Sequence, residues 1–236
     1  MKIALLLSGG TGTRLGVDLP KQYIEVGGKP VISYSIETLS AHEGIDKIQI
    51  VAEEKWKDQI QKWLADADVK GKVQGFSLPG PNRQLSIYHG LESIREYGAD
   101  EDVVFIHDAA RPLLSRQMIT QCLNAMEGYD GVIPVLPMKD TVYESIDGKI
   151  ISSLLDRSRI YAGQAPELFR LGKYYEANRR LVPERILTIN GSTEPAVIAG
   201  MKMAMIRGDE TNFKITTKED LERFRSMIEK RVCPIE

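Results

Sequence analysis

The sequence predicts an α/β fold: a Rossmann-like, mostly parallel sheet with helices on both faces and a protruding β-hairpin arm. Short β-branched apolar runs alternate with longer segments of 3.6-residue periodicity, which is typical of βαβ units. A glycine-rich stretch follows the first apolar run, where a buried strand should turn. The alternation stops at Pro137, and a hairpin pattern begins there.

The predicted elements follow one another in regular order. Strands are predicted at 3–7, 47–52, 73–77, 103–107 and 131–135. Helices are predicted at 30–41, 53–65, 83–96 and 115–126. After the arm we expect a strand near 161–162, a helix near 172–181, a strand at 202–206 and a helix from 217 to about 230. Right-handed crossovers would place the strand ends, and any ligand, at one edge of the sheet.

Length and composition favour one soluble globular domain over 1–236. A net charge of −2 argues against a nucleic-acid-binding protein, which needs a basic surface. Cys122 and Cys233 are far apart and lack metal-ligand spacing, so we expect neither a zinc site nor a disulfide framework. The first apolar run is too short for a signal peptide, and no run is long enough for a membrane span. We therefore expect a cytoplasmic protein.

The glycine-rich stretch reads "LLLSGGTGTRLGVDLPKQY" over 5–23. Backbone N–H groups at Gly9, Gly10 and Gly12 could approach an anion closely, and Arg14 and Lys21 add positive charge. The stretch therefore indicates a phosphate site, and two cations suit a triphosphate. A tight strand-to-helix turn with solvated charges is the alternative.

Two familiar phosphate loops do not fit this stretch. A Walker A loop ends in Gly-Lys-Ser or Gly-Lys-Thr, whereas Thr13 and Arg14 follow Gly12. A dinucleotide fingerprint starting at Gly10 needs a small residue where Leu15 stands.

Three motifs together resemble one family. The segments "SGGTGTRLG…LPKQY", "HDAARP" (107–112) and "NFKITTKEDL" (212–221) are similar in order and spacing to the cytidylyltransferases of 2-C-methyl-D-erythritol 4-phosphate and D-ribitol 5-phosphate. The resemblance runs from Lys2 to about Met227. It implies a nucleotidyltransferase fold of the GT-A-like type and a reaction of CTP with a polyol phosphate. The products would be a CDP-polyol and pyrophosphate, and Mg²⁺ would be the cofactor.

The resemblance also implies roles for individual residues. The catalytic cations would be Arg14, Lys21 and Lys214. Nucleotide contacts would come from Ser8, Gly9, Gly10, Gly12, Gly80, Arg83, Ser86 and Asp108. Acceptor contacts would come from Arg111, Thr141 and Arg157. Asp108 is also the candidate Mg²⁺ ligand, although a strand-end Asp is often only a turn former or helix cap. His107 is expected to be structural.

The predicted arm spans 138–160, with Asp147 and Gly148 at its turn. Its apolar side chains, among them Ile146, Ile150 and Ile151, would be exposed in a monomer, which favours a homodimer through the arm. In the resembled family this arm completes the acceptor site of the neighbouring subunit. The alternative is a hairpin that packs on its own domain.

The acceptor is the least determined part of this prediction. Segment 188–195 reads "TINGSTEP", with Asn190, Gly191 and Ser192 where the family commonly has acidic residues. Segment 159–169, "RIYAGQAPELF", is more similar to the ribitol enzymes. Ribitol 5-phosphate is therefore preferred, 2-C-methyl-D-erythritol 4-phosphate is the alternative, and another polyol or sugar phosphate remains open.

Two other function classes share parts of the pattern. A nucleotide-binding module without turnover would not need the full set of cations. A UTP- or dTTP-dependent transferase of sugar 1-phosphates shares the glycine loop, but the motifs at 107–112 and 212–216 favour cytidine.

Overall fold

The computed structural model describes residues 1–10 and 19–232, and its centre is an eight-stranded mixed sheet. The strands of this sheet are β1 (Lys2–Leu7), β4 (Lys47–Val51), β5 (Val73–Ser77), β6 (Val103–Asp108), β7 (Gly131–Pro137), β10 (Tyr161–Gly163), β11 (Glu167–Arg170) and β12 (Met203–Arg207). Two small hairpins are formed by β2 (Glu25–Val26) with β3 (Lys29–Pro30), and by β8 (Val142–Glu144) with β9 (Ser153–Leu155).

The strand order across the main sheet is β10-β7-β11-β6-β1-β4-β5, and β12 pairs with β7. Strand β1 is parallel to both neighbours, with Leu7 opposite Val51 of β4 and Asp108 of β6. Strand β11 runs antiparallel between β6 and β7. Parallel pairing at the centre brings the carboxyl ends of β1, β4 and β6 to one edge.

Seven helices are described: α1 (Val31–Ala41), α2 (Lys57–Ala67), α3 (Arg83–Arg95), α4 (Arg116–Asn124), α5 (Leu171–Arg179), α6 (Glu194–Ile198) and α7 (Lys218–Val232). Helices α1, α2 and α4 pack with one face of the sheet, and α3, α5 and α6 pack with the other. In β1, Ala4 and Leu6 belong to the first core and Ile3 and Leu5 to the second. A strand buried on both faces reads as a continuous apolar run, which explains the opening of the sequence.

The predicted fold class is confirmed. All five strands predicted before Pro137 are present within three residues of their predicted ends, and β5 spans 73–77 as predicted. Helix α2 starts later than predicted, because a 3₁₀ turn at Glu54–Trp56 precedes it. Strand β11, helix α6 and the β2–β3 hairpin were missed, since each has five residues or fewer and shows little periodicity.

The arm is a hairpin, as predicted, and it forms no part of the main sheet. Asp147 Oδ1 accepts from the backbone N–H groups of Lys149 and Ile150, both at 2.9 Å, which closes the turn. Ile146 is 94% exposed and Ile150 is 71% exposed. Helix α7 also starts where predicted, and Asp220 Oδ2 accepts from the N–H of Thr217 at 2.9 Å. Within the described ranges, no helix is long and apolar enough to cross a bilayer.

Candidate active site

A cleft of about 510 Å³ opens at the sheet edge where β1 and β6 end. Three segments of the chain, within 7–10, 79–86 and 108–110, provide most of its walls. Eight residues predicted for the site line it: Gly9, Gly10, Lys21, Gly80, Arg83, Ser86, Asp108 and Lys214. In open α/β sheets ligands bind at this position, outside the carboxyl ends of the strands.

The first wall is the glycine-rich stretch as it leaves β1. A β-carbon on Gly9 would lie 2.5 Å from Cβ of Pro79, so only glycine lets the two loops approach this closely. Gln22 Nε2 donates to the carbonyl oxygens of Ser8, at 2.7 Å, and Gly10, at 2.8 Å. Ser8 is buried beneath the wall and does not line the cleft.

Lys21 lines the cleft from the first position of the 3₁₀ turn Lys21–Tyr23. Tyr23 anchors this turn in the core: it is 2% exposed, and its ring lies 4.5 Å from that of Trp56. Its hydroxyl also donates to the carbonyl oxygen of Ser8 at 3.0 Å. Packing of Tyr23 thus fixes the backbone that presents Lys21.

The second wall is the loop before α3 and the first turn of that helix. Asn82 caps the helix by accepting from the N–H of Leu85 at 2.8 Å. Ser86 Oγ accepts from the N–H of Gly80 at 2.9 Å, which folds the loop back on the helix. A β-carbon on Gly80 would lie 2.7 Å from Cβ of Leu85, so this fold requires glycine. Arg83 is thereby presented to the floor of the cleft.

Asp108, the last residue of β6, is the centre of a charge cluster on that floor. Its Oδ1 accepts from Arg83 Nε at 3.2 Å, and its Oδ2 lies 3.0 Å from Lys214 Nζ and 3.6 Å from Arg111 Nε. Burial alone would raise the pKa of Asp108. Attraction to Arg83, then to Lys214 and Arg111, outweighs burial and holds the pKa well below its usual range. Three cations therefore converge on one buried carboxylate.

Lys214 reaches this cluster from the loop between β12 and α7. The next residue, Ile215, is fully buried, and its N–H donates to the carbonyl oxygen of Ala110 at 2.9 Å. Ile215 belongs to a small apolar cluster with Leu113 and Phe224. This anchor ties the late loop to the end of β6 and holds Lys214 at the cleft.

Arg111 lies behind the cluster and does not line the cleft. Its Nη1 donates to the carbonyl oxygen of Asn212 at 2.7 Å. The carbonyl oxygen of Arg111 lies 3.0 Å from Nε2 of His107, which is completely buried. Burial lowers the pKa of His107 to about 4, so the imidazole is neutral at pH 7 and its Nε2–H donates to that carbonyl. His107 thus orients the turn that carries Arg111.

The remaining predicted residues are not at the cleft. Thr141 and Arg157 lie beside the ends of the arm strands, and both are exposed. Arg157 Nη1 donates to the carbonyl oxygen of Lys139 at 2.7 Å. A single chain therefore does not bring these two residues to the walls of the cleft. Gly12 and Arg14 lie outside the described residues.

Glu167, at the start of β11, is a neighbour of the cluster that sequence reasoning missed. Its Oε2 accepts a short hydrogen bond from Ser192 Oγ and lies 3.5 Å from Arg83 Nη2. Burial raises the pKa of Glu167, although Arg83 and Ser192 oppose the rise. A lone charge inside the apolar run "APELF" could have indicated a buried acid, but this strand was not predicted. Positions 190–192 carry no acidic residue, yet the carboxylate of Glu167 on β11 contacts Ser192.

The expected magnesium ion finds no protein-built site among the described residues. Both Asp108 oxygens already face basic groups at 3.0–3.6 Å, which makes this carboxylate a poor ligand for a further cation. Within 1–10 and 19–232, no three His, Cys, Asp or Glu side chains lie close enough to hold an ion. Asp108 therefore does not fit the role of metal ligand.

The cleft provides the groups that triphosphate chemistry needs. Glycine-lined backbone and converging cations match the charge that develops during phosphoryl transfer, which requires little covalent participation by the protein. Fold and cleft together define a nucleotidyltransferase. Residues 2–230 match the IspD family, 2-C-methyl-D-erythritol 4-phosphate cytidylyltransferase. The chain belongs to this family and is a cytidylyltransferase, which confirms the resemblance based on its motifs.

Individual relatives agree with this assignment. The chain is 32% identical over 237 residues to ribitol-5-phosphate cytidylyltransferase of Streptococcus pneumoniae serotype 2 (strain D39 / NCTC 7466), covering 98% of this chain and 100% of that protein. It is similar, at 25% identity and a TM-score of 0.82, to the structure of 4-diphosphocytidyl-2C-methyl-D-erythritol synthase from Anaerococcus prevotii, covering 97% and 96% of the two chains. The Francisella tularensis 2-C-methyl-D-erythritol 4-phosphate cytidylyltransferase structure gives 25% identity and a TM-score of 0.79, covering 95% and 98%.

Proposed function

We propose that this chain transfers CMP from CTP to ribitol 5-phosphate, giving CDP-ribitol and pyrophosphate. The observation that carries the proposal is the convergence of Lys214, Arg83 and Arg111 on Asp108, beside walls of glycine backbone. Ribitol as the acceptor is supported by the pneumococcal relative and by the similarity of segment 159–169 to the ribitol enzymes.

The chemistry requires charge stabilisation more than proton transfer. An oxygen of the acceptor phosphate attacks the α-phosphorus of CTP in line, a new P–O bond forms, and the bond to the β-phosphate oxygen breaks. The electron pair leaves on pyrophosphate. A phosphate monoester is already largely ionised at pH 7, because its second pKa is about 6, so no general base is needed. The neutral, fully buried His107 is consistent with this.

Two of the described cations, Lys21 and Lys214, line the cleft and support this assignment. Lys21 lies in the wall formed by the glycine-rich stretch, where the triphosphate would bind. Lys214 lies on the cleft floor beside Asp108, where charge would build on the α-phosphoryl oxygens. Arg14 is proposed as a third cation from the sequence alone.

Magnesium is proposed to enter with the nucleotide. Mg²⁺ is commonly bound through substrate phosphates with few protein ligands, and the charge cluster leaves little room for it on Asp108. When bound, the ion would neutralise phosphate charge.

The acceptor half of the site is proposed to be completed by a second subunit. Thr141 and Arg157 lie at the exposed arm, away from the cleft, while Ile146, Ile150 and Ile151 expose 94%, 71% and 61% of their surface. A dimer formed through the arm would bury these side chains and could bring Arg157 to the partner's cleft.

The second candidate acceptor is 2-C-methyl-D-erythritol 4-phosphate, which the family description and the solved relatives favour. Both acceptors carry a terminal phosphate and several hydroxyls, so the cation cluster serves either.

A panel of acceptors tests the proposal. Pyrophosphate release is measured with CTP and Mg²⁺ against ribitol 5-phosphate, 2-C-methyl-D-erythritol 4-phosphate and glycerol 3-phosphate, with UTP replacing CTP as the nucleotide control. We expect the highest kcat/KM for CTP with ribitol 5-phosphate. A higher value for the methylerythritol substrate would replace the proposed acceptor. If none of the three acceptors gave pyrophosphate release, the proposed function would be rejected.

A further inference from the structure

We propose that Glu167 is a positioning residue: by sharing Arg83 with Asp108, it keeps one oxygen of Asp108 available to anchor Lys214. This inference rests on the proposed function, because it assigns a role in turnover. Glu167 does not line the cleft, so it acts through the side chains that do.

The first observation is that the two carboxylate oxygens of Asp108 contact different partners. Arg83 contacts Oδ1 through Nε and Nη2, each at 3.2 Å, and Lys214 Nζ contacts Oδ2 at 3.0 Å. Arginine commonly binds a carboxylate through two parallel hydrogen bonds, one to each oxygen. In this structure Arg83 contacts only Oδ1, so Oδ2 is available to Lys214.

The second observation explains why Arg83 stays at one oxygen. Its Nη2 lies between two carboxylates, 3.2 Å from Asp108 Oδ1 and 3.5 Å from Glu167 Oε2. Glu167 pairs with Ile106 across the β11–β6 register, two residues before Asp108, so the sheet itself sets the spacing of the two acids. Attraction to Glu167 therefore draws the guanidinium away from Oδ2.

The third observation is that Glu167 is held rigidly. Ser192 Oγ donates to the same Oε2 that faces Arg83, and the backbone oxygen of Ser192 accepts from the Tyr174 hydroxyl at 2.6 Å. That hydroxyl accepts in turn from Gln84 Nε2 at 3.1 Å, and Gln84 follows Arg83 in α3. Segment 190–192 thus contributes a serine that fixes a carboxylate, where the family commonly has acidic residues of its own.

The charges of this cluster fit its task. With both acids ionised, Arg83, Arg111 and Lys214 contribute +3 and Asp108 and Glu167 contribute −2, which leaves the cluster at the cleft floor with a net charge of +1. Without the charge of Glu167, Arg83 would be free to bind both oxygens of Asp108 and to displace Lys214 from Oδ2. Turnover would then fall, while the walls that bind CTP, formed by Gly9 and 80–86, keep their hydrogen bonds.

The test compares E167Q, which keeps shape and removes charge, with the control E176Q. Glu176 also pairs with an arginine, Arg179, but on the exposed surface of α5. With CTP, Mg²⁺ and the acceptor that the wild type uses, we expect E167Q to lower kcat about tenfold with the KM for CTP changed less than about twofold. S192A should lower kcat in the same direction but less, and E176Q should match the wild type. An unchanged kcat in E167Q, or a loss confined to the KM for CTP, would overturn the proposal.

A second measurement tests whether Glu167 acts through Arg83. Its readout is thermal stability, so it does not require an active enzyme. R83A leaves Glu167 buried without its cation, so thermal unfolding should occur at a lower Tm than in the wild type. The double variant R83A/E167Q should recover part of that loss. A further decrease in Tm in the double variant would contradict the pairing. If the wild type turns over none of the acceptors, the proposed function fails, and this comparison still tests the Glu167–Arg83 pair.

Discussion

Lys214 Nζ lies 3.0 Å from Oδ2 of Asp108, which joins a late loop of the chain to the end of a central strand. The carboxylate is buried, whereas the lysine side chain keeps 35% of its surface exposed. Asp108 therefore holds the ammonium group in place without enclosing it. A cation held in this way can stabilise charge on a substrate with little reorganisation.

Replacing Lys214 by Ala should reduce turnover about 10²- to 10³-fold, the usual loss when a preorganised charge at the transition state is removed. The fold should persist, because Asp108 retains Arg83 and Arg111. We expect a decrease in Tm of about 2–4 °C, corresponding to about 1 kcal/mol in a chain of this length. Steady-state pyrophosphate release and thermal unfolding followed by circular dichroism measure both effects.

Lys218→Ala provides the matched control, since this exposed lysine lies in the first turn of α7, four residues from Lys214. It should keep wild-type turnover. Near-normal turnover in the Lys214 variant would remove this residue from the mechanism.

The buried His107 should make stability depend on pH. Its pKa is about 4 in the folded protein and about 6.5 in the unfolded chain, so the unfolded state binds more protons between these values. Stability contributed by the neutral imidazole is complete above pH 6.5 and is lost as pH falls towards 4, by up to about 1.4 kcal/mol per pH unit. His107→Gln keeps an N–H donor and cannot take up the proton. Urea unfolding between pH 5 and 7 should show a shallower pH dependence in this variant. Equal slopes for His107→Gln and the wild type would show that the imidazole takes no part in the pH dependence.

Mixing two inactive variants should restore activity if the site is shared between subunits. Lys21→Ala removes a cation that lines the cleft, and Arg157→Ala removes one from the arm. After random subunit exchange, half of the dimers are mixed and each carries one intact site, so about a quarter of wild-type activity should return. Pyrophosphate release before and after exchange measures the recovery. Mixtures that exchange subunits, as shown by mass, and remain inactive would place Arg157 outside a shared site.

Removal of Mg²⁺ by a chelator should stop catalysis without unfolding the protein. EDTA should abolish turnover but change the Tm of the substrate-free protein by less than about 1 °C, because the described residues build no metal site. CTP with Mg²⁺ at about 100 times its Kd should instead stabilise the protein by about 2.7 kcal/mol. Calorimetric scans of the substrate-free protein, with and without EDTA, and of the protein with CTP and Mg²⁺ measure both effects on the Tm. A marked decrease in Tm with EDTA alone would reveal a metal held by the protein itself.

The prediction from sequence was strongest where local chemistry governs structure. Buried strands such as β1 read as continuous apolar runs, and the alternation of strands and helices indicated the sheet. The Asp-Gly turn at Asp147 and Gly148 predicted the arm hairpin. Strand β11 was missed because four residues show too little periodicity, and Glu167 was missed with it.

The sequence by itself determined the fold class and the family, and it predicted eight of the residues that line the cleft. Glycines, prolines and basic residues in a fixed order predict a phosphate-binding loop, because this signal is contained in one short stretch of the sequence. Only the tertiary structure decided that Asp108 is surrounded by cations, which makes it an anchor and a poor metal ligand, and that Glu167 shares Arg83 with it. These contacts join β6, α3, β11 and the loop before α7. No local pattern encodes them, because pairing across the sheet and burial of Ile215 set their distances.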